Sequence, residues 1–526
     1  MKKILLIFIS FFCAFALTNV AKASSQKVLI VYDSKNEQNH GTDKIDSLKR
    51  FFISSHFQVS TKSMVDYQKG DLNDSYQGII TMINWPAANL KSASFNQDLN
   101  QFKGKKIHIG PNLSKAELSD LKAQSQNVYS NHVKLKINDN EQPLKGNTAL
   151  TVLRNVSNDA KKIGQYQSGN DEYNAGIIEG QAAFLPNFET GGLSYIIGTK
   201  LIAQLFGISQ DQKPFLFLRD VTPYSSSKYL LAISKFCLKK HMPLIISMTA
   251  NANNTDVKSY LKLTETLRTL EQQGTLIFVQ TPIIGAATSR DGNVLNNNFD
   301  NAILHLAQQQ VYPIGISAPS FWSEDQVLYQ NGLKKSDAWL LLSNNSHSAV
   351  KPNDTKEERE QYLETHDAVN YLKPVPQSYL NKWSATGVPA LSFKSVDNLN
   401  TLRFSSPTAV TLTMPQSKND LNRVKHQMKQ LHFAYDDFNN FKSNTVAGST
   451  VLQYQDRHYL VNQKEEIIHN NAQTKIIKKL TYHPILSSFF KTQETVLIYL
   501  LSIILIGLLI LLWMGLKIYR ENYHRK

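Results

Sequence analysis

Two apolar segments, one at each end of the chain, constrain it more than anything between them. Met1, Lys2 and Lys3 precede an apolar run from Ile4 to Leu17, and Ala21-Lys22-Ala23 stands before Ser24. A basic start, a short apolar middle and an Ala-x-Ala exit make the pattern of a secretory signal peptide, so 1–23 is expected to be removed. Cys13 lies inside the apolar run, without the small-residue box of a lipid-anchored precursor. At the other end, Val496 to Leu516 carries no charge. At 1.5 Å per residue such a stretch spans the ~30 Å of a bilayer's hydrocarbon. Lys517, Arg520, Arg525 and Lys526 follow it against Glu521 alone, and positive charge beside a span stays cytoplasmic. The expectation is a single-pass protein of the cell membrane: a transmembrane helix over 496–516, a basic cytoplasmic tail over 517–526 and a body, Ser24 to Glu494, outside the cell.

That body is too long for one hydrophobic core and comfortable for two or three domains. A hydrophobic content of 42% and an aromatic content of 10% describe a folded protein, not a solvated stalk. Only Cys237 remains after signal removal, so no intramolecular disulfide can form. An exported chain without disulfides points to a bacterial surface and to ordinary core packing. Of the net charge of +15, the first 23 residues and the tail hold three each, leaving about +9 on the body. Outside a bacterial membrane the polyanions within reach of that charge are wall polymers and acidic polysaccharides. No basic block with interleaved aromatics asks for nucleic acid.

The first region alternates strand and helix. Lys27 to Tyr32, Phe57 to Met64, Gly78 to Ile83 and Lys105 to Ile109 read as strands, with helices from Thr42 to Phe52 and from Ser114. Strands separated by helices of ten or more residues predict a parallel, doubly wound sheet, flavodoxin-like in kind. It contains neither Gly-x-Gly-x-x-Gly nor a phosphate-binding Gly-Lys-Ser/Thr, so nothing in it asks for a nucleotide. Ligands of such sheets bind at the C-terminal strand edge, here Asp33, Asn84 and Trp85, although Trp85-Pro86 also reads as packing. A β-rich extension from Thr148 to Ala183 and a helix from Gly192 to Phe206 complete a domain over 24–207.

A second alternating block begins at Lys213. Its strands are Phe215 to Val221, Leu244 to Met248, Leu276 to Gln280, Ile314 to Ala318 and Trp339 to Leu342. Helices at Ser226–Lys239, Val257–Gln272 and Phe299–Gln309 separate them, a succession long enough to close as a barrel over 213–395. A mixed β/α region and juxtamembrane connector follow over 396–494, with a β run at Ala409–Thr413 and a helix from Lys418 to Phe433.

The first strand of this block ends Phe217-Leu218-Arg219-Asp220-Val221-Thr222-Pro223. Pro243 precedes the second strand, Gly274 opens Gly274-Thr275-Leu276-Ile277-Phe278, and Ala318-Pro319-Ser320-Phe321-Trp322 follows the fourth. In this order and spacing the chain resembles a bacterial family related to polysaccharide deacetylases. The resemblance covers roughly Lys213 to Leu342, and more loosely the sheet before it. It implies a deacetylase-like β/α barrel in a membrane-anchored surface protein. That family's chemistry uses an Asp base, and a second Asp with two His four residues apart holding a metal that activates water. Here the metal-binding Asp would be Asp220, Arg219 stands where the base would be, and Val279 and Ile283 occupy the positions of the His pair. Neither aliphatic residue has a lone pair to offer, and Arg219 repels a cation and pairs with Asp220. The catalytic motifs are therefore degenerate, and no metal site and no cofactor are expected.

Other chemistry is weaker still. His347, His366 and Asp367 match no metal-ligand spacing, though a relocated metal site there is the enzymatic alternative, with Asp220 as its catalytic carboxylate. Asp436-Asp437 reads as a solvated end of an amphipathic helix. Ser317 and Ser320 lack a Gly-x-Ser-x-Gly elbow, and Cys237, between Phe236 and Leu238, reads as a buried structural thiol. What remains is a barrel rim of Asp220, Arg219, Tyr224, Gln280, Ser320, Phe321 and Trp322, suited to stacking on and hydrogen-bonding sugar rings, or else a seal of Phe321 and Trp322 over the barrel. The reading is a pseudoenzyme that binds, assembles or exports a cell-surface or wall polysaccharide. The alternatives are an active metal-dependent carbohydrate deacetylase and an accessory subunit of a membrane glycosyltransferase complex.

Overall fold

The computed structural model describes residues 26–35, 40–85, 92–144, 148–208, 211–250, 255–281, 292–344, 383–466, 501–502 and 504–516. The segment expected to be a signal peptide, Ile283, His347, His366, Asp367, most of the expected connector and the basic residues after 516 lie outside the described residues.

Five short apolar runs build the first sheet: β1 (Lys27–Tyr32), β2 (Gln58–Ser63), β3 (Gly78–Met82), β4 (Lys105–Ile109) and β5 (Ala182–Leu185), in the order β2-β1-β3-β4-β5. All four pairings are parallel. Strands covered on both faces need continuous apolar sequence, and β3 and β5 are buried at every position. Ile177–Glu179 and Lys161–Lys162 then extend the sheet antiparallel. Helices α1 (Gly41–Ser54), α2 (Ala93–Gln101) and α3 (Lys115–Asp120) lie between the parallel strands. The uniform β/α alternation foreseen from the sequence is interrupted between β2 and β3. Gly70, Asp71, Asn73 and Asp74 make that connection a series of turns, and Tyr67 and the Gly70 N–H anchor it to the Asp98 carboxylate at 2.8 and 2.7 Å. The β-rich extension begins earlier than Thr148, because Gln124–Ser130 pairs antiparallel with Thr148–Arg154. Helix α4 (Gly192–Phe206) buries nearly its whole length and stops at Gly207, whose φ of 71° favours glycine.

The second block is a closed parallel barrel of seven strands. They are β6 (Phe215–Val221), β7 (Leu244–Thr249), β8 (Leu276–Gln280), β9 (Gly315–Pro319), β10 (Ala338–Leu342), β11 (Trp383–Pro389) and β12 (Thr408–Thr413). Strand β12 pairs back onto β6 and closes the ring. The barrel thus extends beyond the boundary at 395 drawn from the sequence, to Thr413 at least. Helices α5 (Ser227–Lys239), α6 (Lys258–Gln272), α7 (Gly292–Gln308) and α8 (Gln326–Asn331) surround it, and α9 (Lys418–Gln430) follows β12. Gly274 at the start of β8 adopts φ 87°, which explains the glycine there. Aromatic rings plug the N-terminal end: Phe215 stacks on Phe438 at 5.1 Å, and Trp383 meets Phe441 edge-on at 5.0 Å. A four-stranded antiparallel meander over 443–466 follows.

Helix α1 belongs to both halves. It packs on β2 and also on β10 and β11 of the barrel. Its barrel-facing residues are polar and buried: Arg50 donates to Asp46 at 2.9 Å and to the Gly387 carbonyl, and Ser320 donates to Asp46. Lys49 pairs with Glu324 at 2.5 Å, and Ser54 meets Thr386 at 3.0 Å. Buried charges persist only when paired in this way, so the seam ties sheet and barrel into one unit.

Among the described residues no helix is long and apolar enough to cross a membrane. Of the span expected over 496–516, residues 501–502 and 504–516 are described; they are helical, and Leu505, Leu508, Leu511 and Trp513 are each more than half exposed.

Candidate functional site

Parallel barrels place their ligands at the C-terminal ends of the strands, where the loops converge. A cavity of about 590 Å³ opens there, at the ends of β6, β10, β11 and β12, with α9 forming one wall. That volume suits a small ligand or a few sugar units. Its polar groups include Arg219, Ser343, Thr411 and Thr413 on the strand side and Gln416, Arg423 and Gln427 on the α9 side. Leu342, Pro389, Leu391 and Val424 supply apolar surface between them.

Beside this cavity, β6 departs from regular pairing between Leu218 and Val221, and Asp220 adopts a left-handed φ of 64°. A non-glycine residue there is held by its surroundings. Gln280 supplies the hold: its amide nitrogen donates to Asp220 Oδ1 at 2.9 Å, and its carbonyl accepts the Asp220 N–H at 3.1 Å. On the other side Arg219 lies 3.4 Å from the Asp220 carboxylate and donates to Thr413 Oγ1 at 3.3 Å. The network continues inward. Ser247 Oγ reaches Gln280 Oε1 at 3.4 Å and also meets Ser317 Oγ. Ser247 and Ser317 lie on strands separated by β8, so their hydroxyls meet only on the inner face of the closed barrel. Both are fully buried.

This donor set does not fit a catalytic metal. Asp220 is already engaged by a guanidinium and an amide, and Val279, at one position where a deacetylase-like His pair would stand, is a fully buried aliphatic. Among the described residues no three His, Cys, Asp or Glu side chains are grouped to hold an ion.

The rim foreseen from the sequence is only partly assembled. Arg219, Asp220 and Gln280 come together. Tyr224 is 84% exposed on the following turn. Trp322 does not line the rim: it is buried at 1% exposure and meets Phe299 of α7 edge-on at 5.8 Å. Ser320 is also no rim residue, since its hydroxyl is spent in the α1 seam on Asp46 and Asn344. Phe321 is half-buried against Trp322. The α9 wall was missed because barrel membership of β12 cannot be read from an isolated Ala409–Thr413 run.

At the edge of the first sheet, Asp33 is buried and accepts three backbone N–H groups, from Ser34 and Asn84 at 2.7 Å and from Trp85 at 2.8 Å. Burial raises its carboxyl above the ordinary 3.8, and the N–H donors offset this only in part. These bonds fasten the ends of β1 and β3 together, and Trp85 enters through its backbone. Deeper in that domain His108 Nδ1 meets Glu117 at 2.8 Å and Nε2 meets the Pro111 carbonyl at 2.8 Å. Burial pulls the imidazole down, but the Glu117 carboxylate and these bonds outweigh it and hold it above 6.5. Glu117, which also caps α3 through Ser114, is buried yet lowered to about 2 by His108 and Ser114. Cys237 is buried, and burial pushes its thiol up to about 12.

Compared in sequence with known protein families and with curated proteins, the chain matches none.

Proposed function

We propose that this chain is a membrane-anchored surface protein whose deacetylase-like barrel binds a cell-surface polysaccharide, in its assembly or export, without hydrolysing it. The observation that carries this reading is the pairing of Asp220 with Arg219 and Gln280 beside an open cavity of about 590 Å³. A carboxylate engaged on both sides is a poor base and a poor metal ligand, while a cleft rimmed by amides, hydroxyls and guanidinium groups matches the donors and acceptors of sugars. The strand order of the first sheet accords with a flavodoxin-like domain. The apolar side chains exposed over 504–516 and the charge pattern around that segment support the tether.

Pull-down of the full-length protein on a panel of neutral and acidic polysaccharides tests the reading. Thr413→Trp, placed at the exposed edge of the cavity, is expected to weaken binding by about tenfold or more by filling it, with the unfolding midpoint unchanged. Undiminished binding by this variant, or no binding to any polysaccharide, would contradict the proposal.

A further inference from the structure

The wall of the cavity continues outward into a surface that the pocket itself does not explain. Helix α5 and helix α9 pack side by side on the outside of the barrel. Along the exposed side of α5 stand Lys228, Lys235, Lys239 and, just beyond it, Lys240, with no Asp or Glu anywhere in the helix. Along one face of α9 stand Lys418, Lys425 and Lys429, with Arg423 on the flank toward the cavity and one acid in the helix, Asp420. Asp420 is already 2.6 Å from Arg423. The next acids in the chain, Asp436 and Asp437, lie in the turn beyond α9 and accept the N–H groups of Phe438 and Asn439.

This arrangement works against the helices that carry it. Lys235 and Lys239, and Lys425 and Lys429, are like charges at i,i+4, which destabilises a helix. Lys228 and Lys418 stand in first turns, where the helix dipole disfavours cations. Only Lys239, Lys240 and Lys429 sit where the dipole favours them. Arg423 is 71% exposed and stands on the flank of α9 that lines the cavity, the helix turning about 120–160° between it and Lys418, Lys425 and Lys429.

Resting on the reading proposed above, we infer that the polysaccharide is a polyanion, bearing carboxylate or phosphate groups, and that the α5–α9 ridge holds it on the outside of the barrel while Arg423, across α9, receives it at the cavity. Charge complementarity sets the occupant. A lipid surface is the poorer match: the apolar face of α5 is buried in the barrel, which leaves only Leu231 and Leu238 exposed, at 41% and 47%. Insertion into a bilayer interface needs a continuous apolar face.

The test is binding of the full-length protein to immobilised polygalacturonate, teichoic acid and neutral dextran, and to phosphatidylglycerol vesicles, at low and high salt. A Lys235→Gln, Lys239→Gln, Lys429→Gln triple variant changes exposed side chains only, and its fold is checked by circular dichroism. The expected result is salt-sensitive binding to polygalacturonate or teichoic acid, whichever acid group the polymer carries, falling about tenfold or more in the triple variant. Equal binding to dextran, or polyanion binding that the triple variant retains, would overturn the ridge and leave the polysaccharide reading standing. Binding to vesicles alone would overturn the ridge's assignment to a polymer. Binding to no polymer at all would remove both.

Discussion

The two α/β halves each place an aspartate at the end of their first strand, and each neutralises it differently. Asp33 is held by three backbone N–H groups from its own sheet. Asp220 is held by two side chains, Arg219 and Gln280, at the edge of an open cavity. Backbone donors cannot be withdrawn without opening the sheet, so Asp33 is a fastener. Gln280 is buried and clamps the strand, but the partly exposed Arg219 can turn toward a ligand, so the Asp220 network leaves the barrel mouth adjustable on that side. Similar positions in similar topologies thus do different work, and the partner atoms decide which.

The largest expected effect follows from breaking the fastener. Asp33→Ala leaves three N–H groups without their acceptor and is expected to lower unfolding free energy by about 3 kcal/mol, measured by chemical denaturation. Next comes the His108–Glu117 pair of the same domain. Glu117, lowered to about 2, contributes stability that is complete above its ordinary 4.5 and lost as the pH falls toward 2. His108, held above 6.5, contributes stability that is complete below 6.5 and lost as the pH rises through its raised value. Both contributions are therefore complete together only between pH 4.5 and 6.5, and Glu117→Gln is expected to flatten both flanks of the stability–pH profile. The barrel carboxylate is expected to matter least to folding: Asp220→Asn keeps the side-chain shape and costs about 1 kcal/mol or less, while altering the polysaccharide binding proposed above. A loss near that of Asp33→Ala would erase the distinction between the two aspartates. The smallest effect concerns Cys237, whose thiol, pushed up to about 12, is expected to resist alkylation at pH 8 until the protein unfolds.

Much of this architecture is legible in the chain. Lys27–Tyr32, Lys105–Ile109, Phe215–Val221, Leu276–Gln280 and Gly192–Phe206 are found with the same bounds as their apolar runs. Others are hidden for physical reasons. Gln124–Ser130 is a polar, mostly exposed strand that exists through its partner Thr148–Arg154. Strand β11 reads Trp-Ser-Ala-Thr-Gly-Val-Pro, without apolar alternation, because its polar and small residues face the α1 seam, where Thr386 meets Ser54 and the Gly387 carbonyl accepts from Arg50. The pairing of Arg219 with Asp220 was readable from adjacency. The Gln280 clamp and the α9 wall needed the closed ring to bring distant residues together, and Trp322 and Ser320 leave the rim because the turn after β9 aims Trp322 into the core and Ser320 into the α1 seam.

The most direct measurement is the metal content of the purified full-length protein after dialysis, beside Asp220→Ala. Binding without hydrolysis is expected to leave the protein folded with no metal held in proportion to the chain and no difference between the two proteins. About one tightly held zinc per chain, lost in Asp220→Ala, would contradict it and make the barrel mouth a hydrolytic centre.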